Sequence, residues 1–122
     1  MARKNLLALV FLFLPISTVA APVTFVCDYE TFSDEEGNHA VKGEFVLTFL
    51  VDGEKAYMIG NNGSEPVQLL AGDEYVSFIE VTAAGNIMTT AITSDGTSVH
   101  SRNSIMFGDL IPSQYYGTCV SR

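Results

Sequence analysis

Apolar and polar residues alternate along this chain in short runs, and each run ends at glycine, asparagine or aspartate. A period of two sends successive side chains to opposite faces of a strand, and beyond residue 20 no stretch sustains helical spacing. Residues 23–32 carry Val23, Phe25, Cys27 and Tyr29 on one face, with Asp28 and Glu30 on the other. Residues 41–51 repeat the pattern, with Val41, Phe45, Leu47, Phe49 and Val51 opposed by Lys42, Glu44 and Thr48. Shorter strands are predicted over residues 55–59, 67–70, 74–82, 87–94 and 115–120. Pro66 stands just before one of them, where a missing N–H costs least. In residues 97–107, Val99, Ile105 and Phe107 read as the buried face, and Ser98, His100, Arg102 and Ser104 as a solvated one.

The turns fix how these strands connect. Asp52-Gly53 and Asp95-Gly96 are hairpin signals, because a type I′ turn needs positive φ at both central residues. Gly60-Asn61-Asn62-Gly63, Ala71-Gly72-Asp73, Ala84-Gly85-Asn86 and Gly108-Asp109 supply the remaining breaks. Short loops make chain neighbours antiparallel sheet neighbours. The expected fold is therefore all-β, an antiparallel up-and-down meander of about eight strands. Closure into a small barrel removes the two bare edges such a sheet would leave, and a two-layer β-sandwich is the alternative. The many aromatic residues, Phe25, Phe45, Phe49, Phe78 and Phe107 among them, predict a mostly filled interior.

The start of the chain has a different character. Arg3 and Lys4 precede an unbroken apolar run over residues 6–14, Pro15 ends it, and Thr18-Val19-Ala20 offers a cleavage position. Residues 1–20 read as a signal peptide and residues 21–122 as a single β-barrel domain. The apolar run falls short of the ~20 residues a membrane helix needs, so no membrane span is expected. The two cysteines, Cys27 and Cys119, lie in the first and last predicted strands and in an exported chain are expected to pair. A periplasmic or extracellular location follows from the leader and the cysteines together.

Charge narrows the choice of partners. The full chain carries a formal net charge of −8, and loss of Arg3 and Lys4 with the leader would lower it by two more. Such a chain repels nucleic acid and anionic membranes and attracts a basic protein.

Candidate chemistry is sparse. His39 and His100 are the only histidines, and no pair of His or Cys ligands has metal spacing, so neither a metal nor a cofactor is expected. His100 and Arg102 share a strand face from which Arg102 can present a charged fork to an anionic or carbonyl-bearing ligand. A cation amid so many carboxylates is also expected to pair with one, Glu80 or Asp28. A hydrolase using His100 beside a serine is the weakest reading, because no Gly-x-Ser-x-Gly pattern accompanies it. Tyr115 and Tyr116 fall on opposite faces of the last strand, which leaves Tyr116 as an exposed aromatic contact residue. Gly117 predicts a close backbone approach or a bulge there. Asn61 and Asn62 sit in the turn set that forms the longer-looped, Asn-rich end, the expected binding mouth. Asn62-Gly63-Ser64 also fits a glycosylation sequon.

The layout of leader, early cysteine in Phe25-Val26-Cys27-Asp28-Tyr29, short strands and a cysteine in the last strand resembles the periplasmic C-type lysozyme inhibitors. That resemblance implies an exported barrel that binds a basic enzyme. The Ser-Gly-x-x-Tyr pattern of that family's inhibitory loop does not occur, so no site residue carries over. The stretches Val99-His100-Ser101-Arg102 and 113–119 are similar to secreted bacterial proteins without assigned function. The expected function is a non-enzymatic exported binding protein, an inhibitor or binder of a basic protein partner. A small-ligand carrier of lipocalin-like type is the alternative.

Overall fold

The computed structural model describes residues 21–61 and 63–122, and all its regular elements are β-strands. The expected leader, residues 1–20, and Asn62 lie outside the described residues. The strands are β1 (Val23–Asp34), β2 (Gly37–Ala40), β3 (Val46–Asp52), β4 (Lys55–Gly60), β5 (Gly63–Ala71), β6 (Tyr75–Val81), β7 (Ile87–Thr93), β8 (Thr97–Met106) and β9 (Asp109–Ser121). Their order in the sheet is β2-β1-β3-β4-β5-β6-β7-β8-β9, and β1 also pairs with β9. Eight strands therefore close an antiparallel ring, with β2 as an extra strand, which decides for a barrel over a sandwich.

β1 serves three partners because it is long and bent. Its first half pairs with β3 and its second half with β2. Along β9 the register runs Tyr29↔Gly117 and then Thr31↔Tyr116, so Glu30 is a bulged residue. A bulge reverses which residues face inward, so Cys27 and Tyr29 point in before it and Phe32 after it, where Phe32 stacks on Tyr115 at 5.2 Å. Gly117 lies opposite the bulge, and a Cβ built there would stand 2.0 Å from the Asp28 carbonyl oxygen. Only glycine permits so close an approach.

The strand expected over residues 41–51 starts only at Val46. Gly43, at φ +78°, breaks the ladder, and residues 41–45 cross beside the bulge instead. Val41 N donates to Glu30 O and Tyr29 N to Phe45 O, which ties this crossing to β1. Phe45 still reaches the core with Leu47 and Val51.

The centre of the barrel is filled. Phe49 and Phe78 stack with ring centroids 4.3 Å apart, and Phe25 meets Phe78 edge-on at 6.2 Å. Cys27, Tyr29, Ala56, Ile92 and Cys119 complete the buried set. The Cys27–Cys119 disulfide joins residues directly opposite each other on the first and last strands. Such a bridge fits an oxidising compartment. Among the described residues there is no helix long and apolar enough to cross a membrane.

Candidate functional site

The largest departure from the alternation pattern lies on β8. Ser98 and His100 are buried, His100 to 1% exposure, while Ile105 and Phe107 are exposed, Phe107 to 99%. The row expected to face solvent faces the interior, and Phe107, expected in the core, stands outside it. The register explains the reversal. Cys119 and Tyr115 point inward on β9, and His100 lies directly opposite Tyr115. The interior accepts these polar groups because each finds a partner. Tyr29 Oη and Ser98 Oγ lie 2.9 Å apart, and Thr90 Oγ1 lies 2.7 Å from His100 Nδ1.

Arg102 completes this network. Its Nε donates to His100 Nε2 at 3.1 Å. A guanidinium only donates, so Nε2 accepts and the neutral ring carries its proton on Nδ1, which donates to Thr90. Burial, with the neighbouring positive charge of Arg102, holds the His100 pKa down to about 4. The Arg102 guanidinium carbon lies 4.7 Å from the Phe45 ring centroid and 5.2 Å from that of Tyr115. The expected ion pair with Glu80 or Asp28 is not among the salt bridges of the described residues. Asp28 is on the outer face of β1, and the register separates Glu80 from Arg102 by Met88. One Glu80 carboxylate oxygen is shielded from solvent and has no hydrogen-bond partner. Burial raises its pKa and the charge of Glu65 pushes in the same direction, while the charge of Arg102, though not in ion-pair contact, partly offsets them. β6 pairs with β5 only along Gln68–Ala71, so residues 63–67 of β5 lack a partner on that side and the wall beside Glu80 is incomplete.

The other site candidates lie apart. Tyr116 is on the outer wall, as expected, at 38% exposure. Its hydroxyl donates to Gln114 Oε1 at 3.0 Å and lies 3.1 Å from Ser33 Oγ, which holds the ring in place. Asn61 is exposed in the β4–β5 turn. His39 is half-buried, 2.8 Å from Asp34 Oδ1 and against the Phe32 ring, and its hydrogen bond lowers the Asp34 pKa. Among the described residues no group of three His, Cys, Asp or Glu is placed to hold a metal.

A second surface was not anticipated. β8 and β9 continue past the last rung with β7, at Ile87↔Asn103, and from Ser104↔Ile111 onward pair only with each other. This hairpin tip has no further strand beside it, though Ile105 N donates to Asn86 Oδ1 at 2.9 Å, and it carries Ile105, Met106, Phe107, Leu110 and Ile111, all exposed. Phe107 and Gly108 form its turn with φ of 53° and 82°. Such a conformation is costly for a bulky residue that is not glycine. Leu110, Ile111 and Pro112 border a cleft of about 500 Å³ shared with Asp34, Glu35, Glu36 and Asp109, and no cation lines it. The signal was present in the sequence as Ile105-Met106-Phe107 and Leu110-Ile111 flanking a turn, an apolar run where turns are ordinarily polar. Compared with protein-family models, curated proteins and solved structures, the chain found no match.

Proposed function

We propose that the protein is an exported, non-enzymatic barrel that binds a basic protein partner through the tip of the β8–β9 hairpin. The carrying observation is the exposed apolar tip of that hairpin, Phe107 in the turn with Ile105 and Leu110 on one face and Met106 and Ile111 on the other, of which Leu110 and Ile111 border Asp34, Glu35, Glu36 and Asp109. Exposed apolar side chains gathered at one tip mark interaction sites, and carboxylates beside part of that tip select a partner with cations near its apolar contact. Phe107 is the anchor, because a fully exposed aromatic in a strained turn gains most by burial. The non-enzymatic reading draws support from His100, whose two ring nitrogens are both engaged and leave no lone pair for a general base. The periplasm or the cell exterior is the proposed location, given the bridged cysteines and the leader-like start.

The test is binding of the mature protein to immobilised lysozyme, the basic partner that the layout points to, with lysozyme activity followed in parallel. Binding at low salt, weakened by added salt and by Phe107→Ser at least ~10-fold, is the expected result. No binding and no inhibition at low salt would discard lysozyme as the partner. Undiminished binding by Phe107→Ser would discard the hairpin as the contact.

A further inference from the structure

At the end of the barrel opposite the hairpin tip, the short turns surround a second cleft of about 370 Å³. Its walls are Phe25, Val51, Leu69, Val76 and Ile92. The cleft is blind, because Phe25 lies edge-on against Phe78 and Phe78 stacks on Phe49, filling the barrel beneath it. Tyr75 forms one lip. Its ring lies against Gly72, where an added Cβ would meet the ring carbon Cε1 at 2.5 Å, and Gly72 N donates to Tyr75 O. The backbone hydrogen bond holds the turn that carries this lip, and the absence of a Cβ at Gly72 lets the ring lie against it. The only charged residues lining the cleft are Asp73 and Glu74, and neither carboxylate has a hydrogen bond or ion pair among the described residues.

We propose that this cleft binds an amphiphilic cation, with an alkyl or aromatic body between Leu69, Val76 and Ile92 and an ammonium head at Asp73 and Glu74. Its volume is within the range of small-molecule sites, and a mostly apolar lining with a few convergent polar groups is their usual form. The charge at the rim selects the head group. A fatty acid or an alkyl sulfate would bring its anion to two unpaired carboxylates, whereas an ammonium gains from both. This gives the small-ligand reading a place and a ligand class, and it stands independently of the hairpin surface at the other end.

The experiment titrates the isotopically labelled mature protein with decyltrimethylammonium, decyl sulfate, decyl maltoside and tetramethylammonium, each below any micelle concentration, following backbone amide shifts. Saturable binding of decyltrimethylammonium is expected, with shifts at Leu69, Tyr75, Val76 and Ile92. Its affinity should exceed that of decyl sulfate by ~10-fold or more, with decyl maltoside between them and tetramethylammonium alone not binding. Ala71→Phe, which fills the cleft from an exposed position on its wall, should abolish binding. The exposed pair Asp73→Asn with Glu74→Gln should keep the maltoside affinity and reduce the ammonium preference to less than ~3-fold. Equal affinities for the three decyl probes, shifts confined to the β8–β9 hairpin, or an unchanged head-group preference in the double variant would each overturn the proposal.

Discussion

Two single residues show how tightly the barrel is specified where β1 meets β8 and β9. At Gly117 a methyl group would collide with the Asp28 backbone, and backbone on a closing strand has little room to retreat. Gly117→Ala should therefore cost about 3 kcal/mol or more in urea unfolding. Gly60→Ala, with open space around it, should stay within about 0.5 kcal/mol. Equal effects at the two positions would show that β1 and β9 can separate at the bulge without cost. His100 makes a pH-dependent contribution opposite in sign to that of a histidine in a salt bridge, whose pKa is raised. Its folded-state pKa of about 4 lies below the ordinary 6.5, so between those values the unfolded chain takes up a proton that the folded barrel refuses. The stability it supports is complete above about pH 6.5 and is lost as pH falls toward 4. Between about pH 7 and pH 4.5, wild type should lose about 2 kcal/mol more than His100→Gln in parallel urea titrations. Glu80 acts in the other direction, since a raised carboxyl pKa penalises the ionised form at neutral pH, but it is common to both proteins and cancels. Identical pH slopes would mean that His100 is solvated in the folded protein.

At the scale of strands, what could be read from the chain was the ladder, and what could not was its inside. Gly53 and Gly96 take up positive φ, so the ends of β3, β4, β7 and β8 beside them fall close to expectation. Asp52 and Asp95 do not, so neither turn is the expected type I′, and β5 and β9 start earlier than expected, at Gly63 and Asp109. Alternation on β8 was equally visible, but a period of two identifies two faces without naming the inner one. Polarity misassigned it, because a barrel interior that pairs Ser98 with Tyr29 and His100 with Thr90 has no need of an apolar row there. The cradle of Arg102 was invisible for a related reason. Phe45 and Tyr115 come from distant strands and meet only through closure. At the hairpin tip the proposed contact and the stability of the barrel can be tested separately. Asparagine tolerates positive φ far better than phenylalanine, so Phe107→Asn should raise thermal stability slightly, by up to about 1 kcal/mol, while weakening partner binding. A variant that loses stability would show that Phe107 contributes packing to the barrel rather than a contact for another molecule.

At the scale of the whole molecule, closure has two independent agents, and they can be separated. One is the β1–β9 ladder, which runs from Phe25↔Ser121 to Ser33↔Gln114. The other is the Cys27–Cys119 bridge, which spans a sequence separation of 92 and sits inside that ladder. The bridge acts mainly on the unfolded chain, and the chain-entropy model gives about 4.5 kcal/mol for a loop of this size. The ladder acts on the folded barrel, and its backbone hydrogen bonds do not depend on the bridge covalently. Cys27→Ser and Cys119→Ser should thus each lower the melting temperature by a similar amount, on the order of 20 °C for a domain of this size. The double variant should be no worse than either, since the second substitution has no bridge left to remove. All three should keep the wild-type far-ultraviolet dichroism below their transitions, because the hydrogen-bonded ring remains closed. Reactive thiols in the native protein would contradict the bridge itself. A loss of strand signal in the serine variants at low temperature would show that the ladder cannot hold the ring and that the disulfide alone makes a barrel of the meander.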